Sequence, residues 1–263
     1  MTASAGFGTD QRMQERAQTR PYRVALAKFR PAKLRSALKR RWFEQRVLRT
    51  RLRTMDGLVY LGTSYGGWTL PGDAIDASWT CYMVGAGGDV SAEVELTKRY
   101  GATVRSFDAV ADYVDRAQTE ANGAPRFSAH HAAIALQDGP MLMQVTHDQQ
   151  SQSVSAAHLY DSHSFIELPG RTIPSLMADL CDEKIELLKI DTEGTEYELL
   201  PTLDLRAMGV KVFATELHHN GSVRDARRFI ASLRERGYDP VACHGAVKLT
   251  FVRRDLIDGL PPT

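Results

Sequence analysis

Asp191, Glu193 and Glu196 set three carboxylates within six residues of one another in the run LLKIDTEGTEYELL, and Glu216, His218 and His219 follow at the end of a second apolar run. Acids beside histidines can take up and return protons near neutrality. A histidine near its reference pKa of about 6.5 is the natural base, and a neighbouring carboxylate can orient it or hold the reacting group. His218 and His219 are therefore the candidate bases, Asp191 the candidate orienting acid, and Glu193 a candidate for contact with a substrate. Side chains alternate along a strand, so Glu216 and His218 are expected on one face and His219 on the other unless the strand has ended. Adjacent histidines lack the helical spacing of a metal pair, and no metal is expected. The competing reading is a charged turn in which Asp191 caps the next helix and Glu196 is helix structure.

A second group lies upstream. Gly85, Ala86 and Gly87, with Gly88, follow the apolar run Thr80–Val84 and precede a helical pattern that Gly101 stops. A glycine turn lets backbone approach a ligand closely, with the helix N-terminus facing it. The third glycine of the dinucleotide pattern is absent, and Asp89 would repel a pyrophosphate. Both points favour a nucleoside without phosphates. Asp108 ends the next strand twenty residues after Gly88, about where an acid accepts hydrogen bonds from a ribose diol; helix capping is its alternative role. Tyr65 and Trp68 stand in a glycine-rich stretch before the first strand, either plugging the core edge or lining a pocket as substrate contacts. An NAD-linked oxidoreductase and a non-catalytic nucleoside-binding protein both remain open on these residues.

The elements that must position these groups alternate between strand and helix, which predicts an α/β fold. Strands are expected at Thr80–Val84, Thr103–Phe107, Phe127–Leu136, Ile185–Ile190 and Val210–Leu217. A returning strand follows the turn at 137–140, and a closing antiparallel hairpin spans Tyr238–Cys243 and Ala246–Val252. Helices are expected from Asp89 to Tyr100, after Arg171, from Thr195, and from Ser222 to Gly237. Gly62, Gly66, Gly67, Pro71 and Gly72 argue against a long regular element between Leu58 and Trp79. The polar segment Thr146–Ser164 reads as an irregular excursion over the sheet's mouth. His130 and His131 read as structural.

Charge divides the chain. Residues 1–56 hold fifteen Lys/Arg against Asp10, Glu15, Glu44 and Asp56, a balance of +11 that leaves −10 for the remainder of a chain whose net charge is +1. The expected organisation is a basic helical extension over 1–56 with a mobile start, then one domain over 57–263. Leu34, Leu38 and Trp42 give the extension an amphipathic stripe. Such a helix either packs on the domain or lies on an anionic membrane surface, and nothing in it resembles a nucleic-acid reader. Cys81, Cys181 and Cys243 are dispersed and odd in number, which fits a reducing compartment. With no apolar signal core at the start and no membrane-length run, the expected location is cytoplasmic, with membrane association left to the extension. Homo-oligomers are left open.

Together Cys81–Gly88, Arg105–Asp108, Arg171–Leu176, Leu187–Glu196 and Thr215–His219 resemble the FkbM-type methyltransferases. The sharpest likeness is LLKIDTEGTEYELL, similar to that family's strand-Asp-x-Glu-Gly-x-Glu signature, and YGGW before the first strand resembles a subgroup. The likeness covers roughly residues 58–255 and leaves the basic extension outside. It implies a Rossmann-like class I methyltransferase fold, a seven-stranded, mostly parallel sheet with an antiparallel last strand. It implies S-adenosylmethionine as cofactor, with Gly85 and Gly87 under its methionine portion. It also implies O-methyl transfer to hydroxyls of sugars, glycans or glycolipids, or of polyketide-type natural products.

Overall fold

The computed structural model describes residues 52–145, 154–156, 164–218, 223–245 and 247–259. The extension up to residue 51, most of the polar excursion, and His219 lie outside the described residues. In chain order the elements are β1 (Leu58–Leu61), β2 (Trp68–Pro71), β3 (Thr80–Val84), α1 (Ser91–Tyr100), β4 (Thr103–Asp108), α2 (Ala111–Ala121), β5 (Phe127–His131), β6 (Ala133–Ile134), β7 (Gly139–Val145), β8 (Val154–Ser155) and β9 (Phe165–Arg171). They continue with α3 (Ile173–Leu180), β10 (Leu187–Ile190), α4 (Glu196–Leu199), β11 (Val212–Glu216), α5 (Val223–Glu235), β12 (Tyr238–His244), β13 (Lys248–Arg253) and α6 (Arg254–Asp258).

Seven strands form the main sheet in the order β12-β13-β11-β10-β3-β4-β5. β5, β4, β3, β10 and β11 run parallel, and the last strand, β13, is antiparallel to β11 and β12. Alternate residues feed two cores, one on each face. Tyr82, Phe107, Leu188 and Phe213 pack on one side, and Cys81, Met83, Leu187 and Val212 on the other. Each large apolar side chain so buried is worth about 1.5–3 kcal/mol, and a sheet covered on both faces needs its near-continuous apolar strands. Helix ends follow local chemistry. Gly101 closes α1 in the left-handed region (φ 71°), its N–H donating to the Thr97 carbonyl, and the Thr172 hydroxyl accepts from the Ser175 N–H to start α3.

The stretch 58–79 holds only short elements, as expected, chiefly an antiparallel hairpin of β1 with β2 in register Leu61↔Trp68 whose turn contains Gly62, Gly66 and Gly67. Two segments differ from expectation. The single strand expected over Phe127–Leu136 breaks at Ala132, whose N–H donates to the Asp108 carbonyl at 2.9 Å. Beyond that point β6 leaves the main sheet and joins a second sheet, β6-β9-β7-β8. Finally, residues 165–171 are strand β9, paired antiparallel with β7. Met141 and Met143 of this small sheet line a cavity together with Val84 and Asp108, the last residues of β3 and β4. Arg53, inside the expected extension, lies against the domain: its N–H donates to the Pro240 carbonyl at 2.8 Å, and its guanidinium meets Asp239 and Asp258.

Candidate active site

Register decides which residues converge. Met83, Lys189 and Ala214 lie abreast on β3, β10 and β11, so two residues further on the chain brings Gly85, Asp191 and Glu216 to one edge, where parallel sheets bind ligands. Gly85 has φ 82°, and a Cβ there would sit 2.2 Å from the Asp191 carbonyl oxygen. Only glycine permits that approach. Lys189 and Asp191 share a strand face. The buried Lys189 ammonium donates to the Gly85 carbonyl at 2.6 Å and reaches Asp191 Oδ2 at 3.4 Å.

The acid loop is organised by Glu196, which is 1% exposed. Its Oε1 accepts from the backbone N–H groups of Thr192 (3.0 Å) and Gly194 (3.2 Å) and from His218 Nδ1 (3.0 Å). Glu193 between them has φ 53°, a left-handed conformation uncommon outside glycine, asparagine and aspartate. The Ser155 hydroxyl of β8 donates to the Glu193 carbonyl at 2.6 Å. So placed, the Glu193 carboxylate meets His218 Nε2 at 3.1 Å, with Asp191 Oδ1 4.0 Å from the same nitrogen. Burial works to lower the His218 pKa, but the hydrogen bonds to Glu193 and Glu196 and the nearby Asp191 charge outweigh it and carry the pKa up to about 11. At neutrality His218 is an imidazolium clamped between carboxylates, a donor and charge partner rather than the free base expected from the sequence. Asp191, Glu196 and His218 bring ligand atoms within 4.8 Å of one another, yet both ring nitrogens of His218 are already spent on carboxylates.

Two cavities meet at this edge and share Tyr65, Gly85, Gly87, Asp191 and Glu193. The first is apolar along Phe107, Val110 and Ile134, with Met141 and Met143 supplied by β7 and Asp108 at its base. Asp108 is buried and accepts from the N–H groups of Gly87 (3.0 Å) and Val110 (2.8 Å). Burial pushes its pKa up against those bonds. The carboxylate thus ties the glycine turn to the backbone ahead of α2 while it lines the cavity. Ala86 turns into a small cluster with Val90 and Ala117. Asp89 is engaged with Ser91 and the Gly66 N–H, tying the β1–β2 turn to the glycine turn.

The second cavity is polar. Glu216 and His218 both line it, the shared face that alternation predicts. Glu93, Lys189 and Lys248 line it as well. Lys248 opposes Glu216 across the β11–β13 register and donates to the Tyr65 and Gly67 carbonyls. Tyr65 and Trp68 divide the two roles between them. Tyr65 is 70% exposed at the junction of the cavities. Trp68 is 3% exposed and carries the Lys189 and Lys248 ammoniums 5.5 and 5.1 Å from its ring, so it is mainly a core support beneath the two cations. His130 stacks on Phe107 at 5.2 Å and is structural.

Sequence reading missed Glu93, Lys248 and the organising role of Glu196. A lysine inside the otherwise apolar β10 was a visible signal for Lys189. Glu93 and Lys248 had none, because each looks like an ordinary charged position on a helix or an edge hairpin.

An open parallel sheet with a glycine turn, an acid at the next strand's end and a second polar cavity beside them defines an α/β protein built to hold a nucleoside-type ligand next to a reacting partner. Residues 87–240 match the Methyltransferase FkbM domain, and the chain belongs to that family. Its cofactor is S-adenosylmethionine. Among solved structures the chain is similar to a ribosomal protein L11 methylase from Lactobacillus delbrueckii subsp. bulgaricus, at 11% identity and TM-score 0.38, over 84% of this chain and 78% of that one. It is also similar to a SAM dependent methyltransferase from Aquifex aeolicus, at 14% identity and TM-score 0.34, over 67% of this chain and 81% of that one. No curated protein matches the chain.

Proposed function

We propose that this methyltransferase transfers the methyl group to a hydroxyl oxygen of a sugar, glycan or glycolipid. The observation that carries this reading is the lining of the second cavity. Asp191, Glu193, Glu216, Lys189 and His218 surround the space next to the glycine turn, where an acceptor rich in hydroxyls can satisfy charged groups that an apolar polyketide would leave desolvated.

The first cavity suits the cofactor. Phe107, Val110 and Met141 offer apolar surface for a base, the Asp108 carboxylate offers acceptors for ribose hydroxyls, and the Gly85–Gly87 backbone leaves room for the methionyl portion. When bound, the cofactor supplies an electrophilic methyl carbon on a sulfonium. The protein must then hold the acceptor oxygen about 3–3.5 Å from that carbon and in line. Asp191 lines both cavities, and we assign it the role of accepting the hydroxyl proton. Burial raises its pKa while Lys189 and His218 oppose the rise. His218, already charged, holds Asp191 and Glu193 in place.

Methyl transfer to a panel of sugars, glycolipids and apolar phenolic acceptors tests the reading. Products methylated on sugar oxygen are expected, and turnover confined to apolar acceptors would overturn it. Asp191→Asn is expected to lower kcat about 10²–10⁴-fold, the usual worth of a positioned base, with S-adenosylhomocysteine still bound.

A further inference from the structure

Among the described residues, acids outnumber cations along the polar cavity. Five carboxylates and three cations line it. The three cations are all committed: Lys189 to the Gly85 carbonyl and Asp191, Lys248 to the Tyr65 and Gly67 carbonyls, and His218 to Glu193 and Glu196. Two of the acids are not. Glu93 reaches the cavity from α1, is 3% exposed, and its Oε2 has no hydrogen-bond partner among the described residues. Glu216 lines the same wall, and no hydrogen bond or ion pair joins its carboxylate to any described residue. A buried carboxylate oxygen without a partner is costly, by an amount comparable to a lost hydrogen bond or more. Its natural complement is a donor carried by the ligand.

We propose that the acceptor is an amino sugar, whose protonated amine lies against Glu93 and Glu216 while a neighbouring hydroxyl faces Asp191. The inference rests on the sugar-hydroxyl reading above and names the class of sugar. An anionic sugar would meet carboxylates with no free cation among the described lining residues to receive it, and like-charge juxtaposition is how sites reject wrong ligands. An N-acylated sugar would lose the charge that Glu93 and Glu216 lack. Burial, only partly relieved by Lys189, pushes the Glu93 pKa up to about 7, so this acid is poised to give up its proton when a cation arrives beside it.

The test compares glucosamine, N-acetylglucosamine and glucuronic acid, each titrated calorimetrically into the full chain saturated with S-adenosylhomocysteine, and each assayed for methyl transfer from S-adenosylmethionine. Glucosamine is expected to bind and react roughly tenfold or more better than its N-acetyl form, the worth of a charged hydrogen bond, with glucuronic acid weakest. Glu93→Gln and Glu216→Gln, near-isosteric changes checked for an unaltered unfolding transition, should each bring the amine-to-acetyl ratio towards one. Methylation of N-acetylglucosamine or glucuronic acid as good as that of glucosamine overturns the amine assignment and leaves the sugar reading standing. Failure of all three to bind or react overturns the amine assignment, and the sugar reading then falls only if the wider acceptor panel also gives turnover confined to apolar acceptors.

Discussion

His218 Nδ1 lies 3.0 Å from Glu196 Oε1, although the two residues lie beyond the ends of different strands. Glu196 also gathers the Thr192 and Gly194 N–H groups on that oxygen, so one buried carboxylate ties the loop after β10 to the end of β11. The acid loop and the histidine are therefore held together through one carboxylate.

Removing that carboxylate should loosen both. Glu196→Gln keeps the size but loses the charge that offsets the imidazolium, and is expected to cost about 1–3 kcal/mol of stability, the range for a buried group losing its partner. Chemical denaturation at neutral pH measures it; a variant as stable as the parent would show that Glu196 is not the organiser.

The charge on His218 makes stability depend on alkaline pH. Its pKa is about 11 in the folded protein against about 6.5 when unfolded, so the folded state holds a proton that the unfolded state releases between those values. Stability from this group is complete below about pH 6.5 and is lost as pH rises towards about 11. The gap in unfolding free energy between wild type and His218→Gln should narrow steadily over that window, and a gap that widens contradicts the clamped imidazolium.

Two glycines of the turn should fail differently. Gly85→Ala drives a Cβ to 2.2 Å from the Asp191 carbonyl oxygen, and backbone cannot yield as a side-chain tip does, so both folding and S-adenosylhomocysteine affinity should suffer. Gly87 has φ 57° and only the Tyr65 hydroxyl, at 4.0 Å, near its Cβ position. Gly87→Ala is expected to cost about 1–2 kcal/mol for the left-handed backbone and to act mainly on cofactor affinity. Parallel calorimetry and thermal unfolding of the two variants separate these outcomes.

Tyr65 and Trp68, alike in the sequence, should separate in the same way. Trp68→Ala opens a cavity in a packed core and is expected to destabilise by about 3–5 kcal/mol. Tyr65→Ala, from an exposed position at the mouth, should leave unfolding nearly unchanged and raise the KM for acceptor. Equal loss of stability in both would place Tyr65 in the core as well.

The sequence by itself determined the alternation of strand and helix, the buried β10 and the glycine turn after β3. It also fixed the placing of Asp108 and Asp191 at strand ends. These follow from local periodicity and backbone chemistry, which a single stretch of chain carries in full. It determined too that Glu216 and His218 share a face, because alternation along a strand is local. Tertiary structure alone decided the protonation of His218. A histidine's pKa is set by what surrounds it, and Glu193 and Glu196 reach the ring only because β10 and β11 lie side by side. The same holds for Glu93, a charged residue near the start of α1 by sequence and, by packing, a buried acid lining a cavity with one oxygen that has no hydrogen-bond partner among the described residues, and for β6 to β9, whose pairing joins segments far apart in the chain. Side-chain alternation is written residue by residue, whereas electrostatic environment is a sum over neighbours that only the folded chain brings together.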